Sequence, residues 1–179
     1  CVLLLDLFLV FMILFTLVIV ITTVAHIWVP VPVVPTPNHI IDTALTMAKL
    51  KGDEVFLDMG AGDGRALILA KKRYPKITAI GTELIPTVWL YAKLRIWLSR
   101  QDVTLLLQDA RKQDISKADC IFLYLIPGIM DEIQTKFDKE LKPGTKVLSY
   151  AFAFPNKKPT EEKDVPWITG TRKLRLYTW

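Results

Sequence analysis

Residues Val55–Arg65 read Val-Phe-Leu-Asp-Met-Gly-Ala-Gly-Asp-Gly-Arg, and they constrain the fold more tightly than any other stretch. An apolar run ends in Asp58, glycines follow at 60, 62 and 64, and a helix-like segment, Ala66 to Tyr74, comes next. A strand that meets a helix through such a loop lets backbone approach a ligand closely, since glycine carries no Cβ. A dinucleotide fingerprint would space its glycines G-x-G-x-x-G and set a pyrophosphate on the helix N-terminus. Here the pattern is D-x-G-x-G-x-G. A carboxylate two residues before the first glycine suits a cationic, amine-bearing ligand better than a pyrophosphate. S-adenosyl-L-methionine, with its α-amino group, sulfonium and ribose, has that chemistry. The alternative is a tight strand-to-helix turn that holds nothing.

From Glu54 onward the pattern alternates. Strands are expected at Val55–Met59, Ile77–Thr82, Val103–Gln108, Cys120–Leu125 and Lys146–Phe152. Helices are expected at Ala66–Tyr74, Thr87–Ser99 and Gly128–Leu141, the last stopped by Lys142-Pro143-Gly144. Near-continuous apolar strands between helices imply a parallel sheet covered on both faces. The tail differs. Lys157–Asp164 reads as a polar insert, and Trp167–Gly170 with Arg172–Trp179 as a closing hairpin. The expected α/β fold is a Rossmann-like seven-stranded sheet, mostly parallel with a C-terminal antiparallel hairpin, preceded by one transmembrane helix. Upstream, Asn38 reads as the N-cap of a helix over Ile40–Leu50.

The chain has 179 residues, enough for one domain plus an extra element. Val2 to Val24 carries one charge, Asp6. As a helix it would span about 34 Å, against a hydrocarbon core of about 30 Å. We read residues 1–27 as a membrane anchor; a buried core helix is the alternative, although such helices rarely run apolar on every face. Four prolines between Pro30 and Pro37 disfavour helix, so residues 28–37 read as a stiff linker and 38–179 as the folded domain. Residues 28–179 hold all 23 lysines and arginines and 17 of the 18 acidic residues, a surplus of about +6 spread along the chain. Such a surface attracts anionic headgroups or nucleic acid, or is simply solvated. Aromatic residues do not interleave with a basic patch, so nucleic acid is not an expected partner. Of two cysteines, Cys120 falls in an apolar strand, and no disulfide framework or metal-ligand cluster is present in the sequence. A nucleotide-like cosubstrate puts the domain on the cytosolic or a matrix-like side of a membrane.

In an open α/β sheet, ligands bind outside the carboxyl ends of the strands. Asp58, Gly60, Gly62 and Gly64 end the first strand. Glu83 ends the second, where a carboxylate can accept both ribose hydroxyls. Asp109 ends the third, placed for an adenine amino group with Gln108 beside the ring; capping a helix is its other use. Asp63 and Arg65 either touch the donor's methionine part, pair with each other or cap the following helix. The fourth strand runs into Tyr124-Leu-Ile-Pro127-Gly128, the end expected to face the transferred methyl. Tyr124, or the carbonyls around Pro127, would orient an amine there; Tyr124 as plain core aromatic is the alternative. Methyl transfer from a sulfonium is an in-line displacement in which positioning does most of the work. A lysine acceptor must first lose its proton, since at a pKa of about 10.4 only about 1 in 2,500 is neutral at pH 7. His26 and His39 both lie away from this edge.

Pro35-Thr36-Pro37, the Asp58–Arg65 loop, Glu83 and Tyr124–Gly128 together resemble the small membrane-anchored class I methyltransferases that modify lysines of the mitochondrial adenine nucleotide translocase and the ATP synthase c-subunit, with their prokaryotic relatives. The resemblance covers residues 28–179. It implies that Thr36 closes over the donor's carboxylate end, while Asp58, Gly60, Glu83 and Asp109 hold the donor. It implies a protein acceptor, itself a membrane protein in the family, and a lipid bilayer as partner of the N-terminal helix. Val88-Trp89-Leu90-Tyr91 departs from the family in being more aromatic. Other readings of the same residues are a methyltransferase for a lipid or membrane-soluble small molecule, and a non-catalytic tethered module.

Overall fold

The alternating segments assemble into a single seven-stranded sheet in a computed structural model, which describes residues 2–28, 34–168 and 170–179. The helices are α1 (Val2–Trp28), α2 (Asn38–Ala48), α3 (Arg65–Arg73), α4 (Pro86–Ser99) and α5 (Pro127–Glu140). The strands are β1 (Val55–Met59), β2 (Thr78–Glu83), β3 (Val103–Leu107), β4 (Cys120–Leu123), β5 (Lys146–Tyr150), β6 (Glu161–Trp167) and β7 (Gly170–Thr178). Across the sheet the order is β3-β2-β1-β4-β5-β7-β6. The first five run parallel, and β7 lies antiparallel to both its neighbours. Strand order reverses between β1 and β4, so the crevice for a ligand opens at their carboxyl ends.

Each face of the sheet has its own core, which is why β1, β4 and β5 are apolar at nearly every position. On one face, Ile41 and Leu45 of α2, Leu67 of α3, and Ala92 and Ile96 of α4 pack over Phe56, Phe122 and Leu148. On the other, Met130, Ile133 and Phe137 of α5 pack over Leu57, Ile121, Val147 and Tyr177. Gly81, in the middle of β2, lets α3 settle against the sheet. A Cβ there would lie 2.5 Å from Leu67 Cδ1 and 3.0 Å from the Ala61 Cβ. Cys120 is buried in β4, as its apolar context suggests.

Two expectations need correction. Asn38 is not a cap: α2 begins at Asn38 itself, and Pro37 occupies the capping position with no side-chain bond. The closing hairpin starts earlier than its apolar residues suggest, because β6 is Glu161–Trp167 and takes in half of the supposed polar insert. As the sheet's edge strand, β6 has a solvated side, so it tolerates charge and Pro166. Glu162 pairs across to Lys173 and Arg175 of β7, each at 2.7 Å. A short 3-10 turn, Ala110–Lys112, follows the third strand. Half of the proline connector, residues 29–33, lies outside the described residues.

Candidate active site at the carboxyl edge

A cavity of about 390 Å³ lies over the carboxyl ends of β1, β2 and β4. Its floor is the glycine loop. Gly60 and Gly62 sit at φ +81° and +54°, left-handed conformations that side chains with a Cβ rarely adopt. The loop is pinned to β2 by the N–H groups of Gly60 and Ala61, which donate to the Thr82 carbonyl at 3.0 and 2.8 Å.

Asp58 lines this cavity from the end of β1, 3% exposed and flanked in register by Gly81 and Phe122. Among the described residues no donor reaches its carboxylate. Burial, then the nearby charges of Glu83 and Asp63, push its pKa up to about 8. Glu83 lies at the end of the neighbouring strand. Its two oxygens accept the N–H groups of Gly62 at 3.0 Å and Ile85 at 2.8 Å. Its pKa is still raised by burial, which those bonds only partly offset.

Asp63 is held differently. Burial opposes its ionisation, yet Arg65 bonds it through Nε at 2.9 Å and Nη2 at 2.7 Å, and Arg95 of α4 adds a close ion pair. Its carboxyl therefore stays below the usual range. Of the roles open to Asp63 and Arg65, two are observed: they pair with each other, and Asp63 accepts the N–H of Arg65, the first residue of α3, at 3.2 Å. Arg65 Nη1 also donates to the Thr36 carbonyl at 3.2 Å, tying the buried Thr36 to the glycine loop. Val34, Pro35 and Thr36 line the cavity, so the end of the expected linker forms part of its wall.

On the β3 side, the Gln108 N–H donates to the Glu83 carbonyl at 3.0 Å and its Nε2 to the Lys112 carbonyl at 2.8 Å. Asp109 caps the 3-10 turn by accepting the Arg111 N–H at 2.9 Å, and it pairs with the Arg111 guanidinium at 2.5 Å. That guanidinium bond is the main reason its carboxyl is held low. Both residues line the cavity while serving these local bonds.

The far wall is aromatic and apolar: Phe122, Tyr124, Leu125, Ile126 and Phe152. Tyr124 packs against Tyr150 with ring centroids 4.7 Å apart, and its hydroxyl accepts from Arg172 of β7. The Arg172 guanidinium lies 3.9 Å from the Trp167 ring centre and 5.9 Å from those of Tyr124 and Tyr150.

Two expected site residues lie elsewhere. Gly64 is the positive-φ residue before α3, and it faces α4: a Cβ there would sit 3.3 Å from Ile96. Pro127 is the first residue of α5, with its neighbours Ile126 and Ile129 lining the cavity instead. Sequence reasoning missed Arg95 and Arg172. Each sits on an element distant in the chain, and neither is marked by local spacing.

This chemistry fits one cosubstrate. A buried carboxylate without a protein donor accommodates an amine-bearing cation, a second carboxylate one strand away accommodates ribose hydroxyls, and glycines clear the space between. Fold and site define a class I, S-adenosyl-L-methionine-dependent methyltransferase. A family profile described as the ANTKMT methyltransferase domain matches residues 58–161, and the chain belongs to that family. It is similar to a protein-lysine N-methyltransferase of Saccharolobus islandicus (strain REY15A), 33% identical over 135 residues, 73% of this chain and 83% of that protein. It is also similar to the Homo sapiens lysine N-methyltransferase of the ATP synthase c-subunit, 28% identical over 80% of this chain and 63% of that protein. It thus spans under two thirds of the human relative's length. Among solved structures, an RNA methyltransferase from Salinibacter ruber in complex with S-adenosyl-L-homocysteine superposes with a TM-score of 0.75 at 28% identity, over 81% of this chain and 93% of that one.

Proposed function

We propose that this enzyme methylates the ε-amino group of a protein lysine at a membrane surface. The observation that carries the donor half is Asp58, buried at the cavity wall with no donor of its own. In this reading Asp58 takes the donor's ammonium end, Glu83 the ribose hydroxyls, Gln108 and Asp109 the adenine, and Thr36, Gly60, Gly62 and Asp63 enclose the methionine part. Gly64 contributes through its packing on α4. The bound donor supplies an electrophilic methyl on a sulfonium. The protein's task is to align an amine and to have it arrive unprotonated.

The wall of Phe122, Tyr124, Leu125 and Phe152 suits that task. An apolar surround disfavours the ammonium form, and the fixed guanidinium of Arg172 behind Tyr124 disfavours it further. Tyr124 and the turn entering Pro127 would orient the amine. The names of the archaeal and human relatives support lysine as acceptor.

The membrane reading rests on α1. It is a 27-residue helix, about 40 Å long. Every large apolar side chain described from Leu3 to Ile21 is exposed in the monomer. Residues 1–27 would anchor the chain, 28–37 connect, and 38–179 catalyse on the cytosolic or matrix-like side.

Incubating the full chain with donor labelled at the methyl group, together with membranes and RNA, tests the acceptor. Label in acid-hydrolysed protein as methyl-lysine is the expected result. Label in the lipid extract would favour the small-molecule reading, and label in RNA would move the substrate toward that named for the Salinibacter structure.

A further inference from the structure

Helix α4 is the structural oddity of the domain. A helix lying on a sheet needs one apolar face. This one has two. Ala92 and Ile96 face the core, whereas Leu90, Tyr91, Leu94, Trp97 and Leu98 point away from it, each 52–73% exposed. At 100° per residue those five fall within an arc of about 120°. Lys93 and Arg100 flank the arc on one side and Arg95 on the other, and α4 contains no acidic residue. Contiguous exposed apolar surface of this kind marks an interaction site.

We infer that the outer face of α4 lies in the headgroup boundary of the bilayer that α1 enters, giving the domain a second membrane contact. This rests on the membrane reading of α1. Four observations favour lipid over another occupant. α1 passes alongside α4 yet leaves its outer face open. The stripe pairs aliphatic residues with Trp97 and Tyr91, the residue types favoured where one end of a side chain is apolar and the other wet. Lys93 and Arg100 make one flank basic, matching anionic headgroups, while Arg95 on the other is paired with Asp63. Lys93 and Arg95 lie over the rings of Trp89 and Tyr91, each 5.9 Å from the ring centre, so the cations at the edge of the stripe sit against its aromatic members.

The contact would also orient catalysis. Arg95 leaves the membrane-facing helix to pair with Asp63 of the glycine loop, and Gly64 packs on Ile96. A domain seated on α4 therefore holds the donor cavity at a fixed height above the lipid, where a lysine near the surface of a membrane protein can reach it.

The test uses the full chain in phosphatidylcholine/phosphatidylglycerol vesicles with brominated acyl chains, in a Trp28→Phe background that removes the tryptophan ending α1. Tryptophan emission should be quenched by the bromines, and Trp97→Phe should remove most of the quenchable fraction. Leu94→Asp with Leu98→Asp should also abolish it while donor binding in detergent stays within about twofold, reporting an intact fold. Flotation of the same vesicles reads the anchor separately. A chain that floats while Trp97 stays unquenched by bromine overturns the α4 contact alone. A Trp97 shielded from both bromine and aqueous acrylamide overturns it in favour of a second protein copy. A chain that does not float overturns the anchor and this inference with it.

Discussion

The two halves of the carboxyl edge are built from opposite materials. The β1–β3 half presents carboxylates: Asp58, Asp63, Glu83 and Asp109 all line the cavity there. The β4–β7 half presents rings, with Arg172 as its nearest cation among Tyr124, Tyr150 and Trp167. In the proposed function the first half would receive a cation through Asp58 and Glu83, since Asp63 and Asp109 are already paired with arginines, and the second would discourage one. A methyltransferase for amines needs both, because its donor must bind as a cation and its acceptor must react as a neutral amine. Under that proposal, ligand charge state would be sorted by which strand ends it meets.

The largest effect expected from breaking this contrast is on donor binding. Asp58→Ala should weaken binding of S-adenosyl-L-methionine on the order of 100-fold, the scale of a lost charge-assisted contact in a buried site. Calorimetric titration reads it. Glu83→Ala should come next, at roughly 10- to 100-fold. It also strips the acceptor from the Gly62 and Ile85 N–H groups, so unfolding stability should fall by about 1–3 kcal/mol. On the aromatic half the expected pattern inverts. Arg172→Gln should leave donor affinity within about twofold, lower kcat/KM several-fold at neutral pH, and move the pH–rate profile toward higher pH. An unchanged profile would remove Arg172 from the account.

Outside both halves, Gly81→Ala should cost about 2–3 kcal/mol through the clash with Leu67, with donor affinity changed only as far as the loop shifts. A pH effect is expected on the ligand-free chain as well. Native Asp58 keeps its proton to about 8, whereas an unfolded aspartate releases it near 4. Between those values the native state binds more protons, so stability falls as pH rises through that window. Asp58→Asn should flatten this slope and raise Tm at pH 8, even though it weakens donor binding. Thermal unfolding across pH 5–9 checks both.

Much of this was legible in the sequence where chemistry is local. The Asp58–Gly64 loop, Glu83 at the next strand end and the alternation of strands with helices are all written in contiguous residues, and they recur in the fold. What was hidden depends on tertiary neighbours. β6 looked like an insert because an edge strand tolerates charge, and only its pairing with β7 makes Glu162 and Lys163 strand residues. Gly64 reads as a donor glycine by spacing, yet its surroundings are set by Ile96, thirty-two residues later. Arg95 and Arg172 carry no signal at all until α4 and β7 bring them to Asp63 and Tyr124. The aromatic excess at Val88–Tyr91 was visible, and its meaning is tertiary too: Trp89 packs against the core while Leu90 and Tyr91 face out.

The most direct test of the central claim is the pH dependence of donor affinity, measured by titrating S-adenosyl-L-methionine into the full detergent-solubilised chain between pH 6 and 9. A carboxylate that must lose its proton to receive the donor's ammonium predicts affinity that climbs as pH rises from 6 toward about 8, with the climb abolished in Asp58→Asn. Tight binding that is flat across this range, and equally tight in Asp58→Asn, would contradict the assignment of Asp58 as the group that meets the donor's charge.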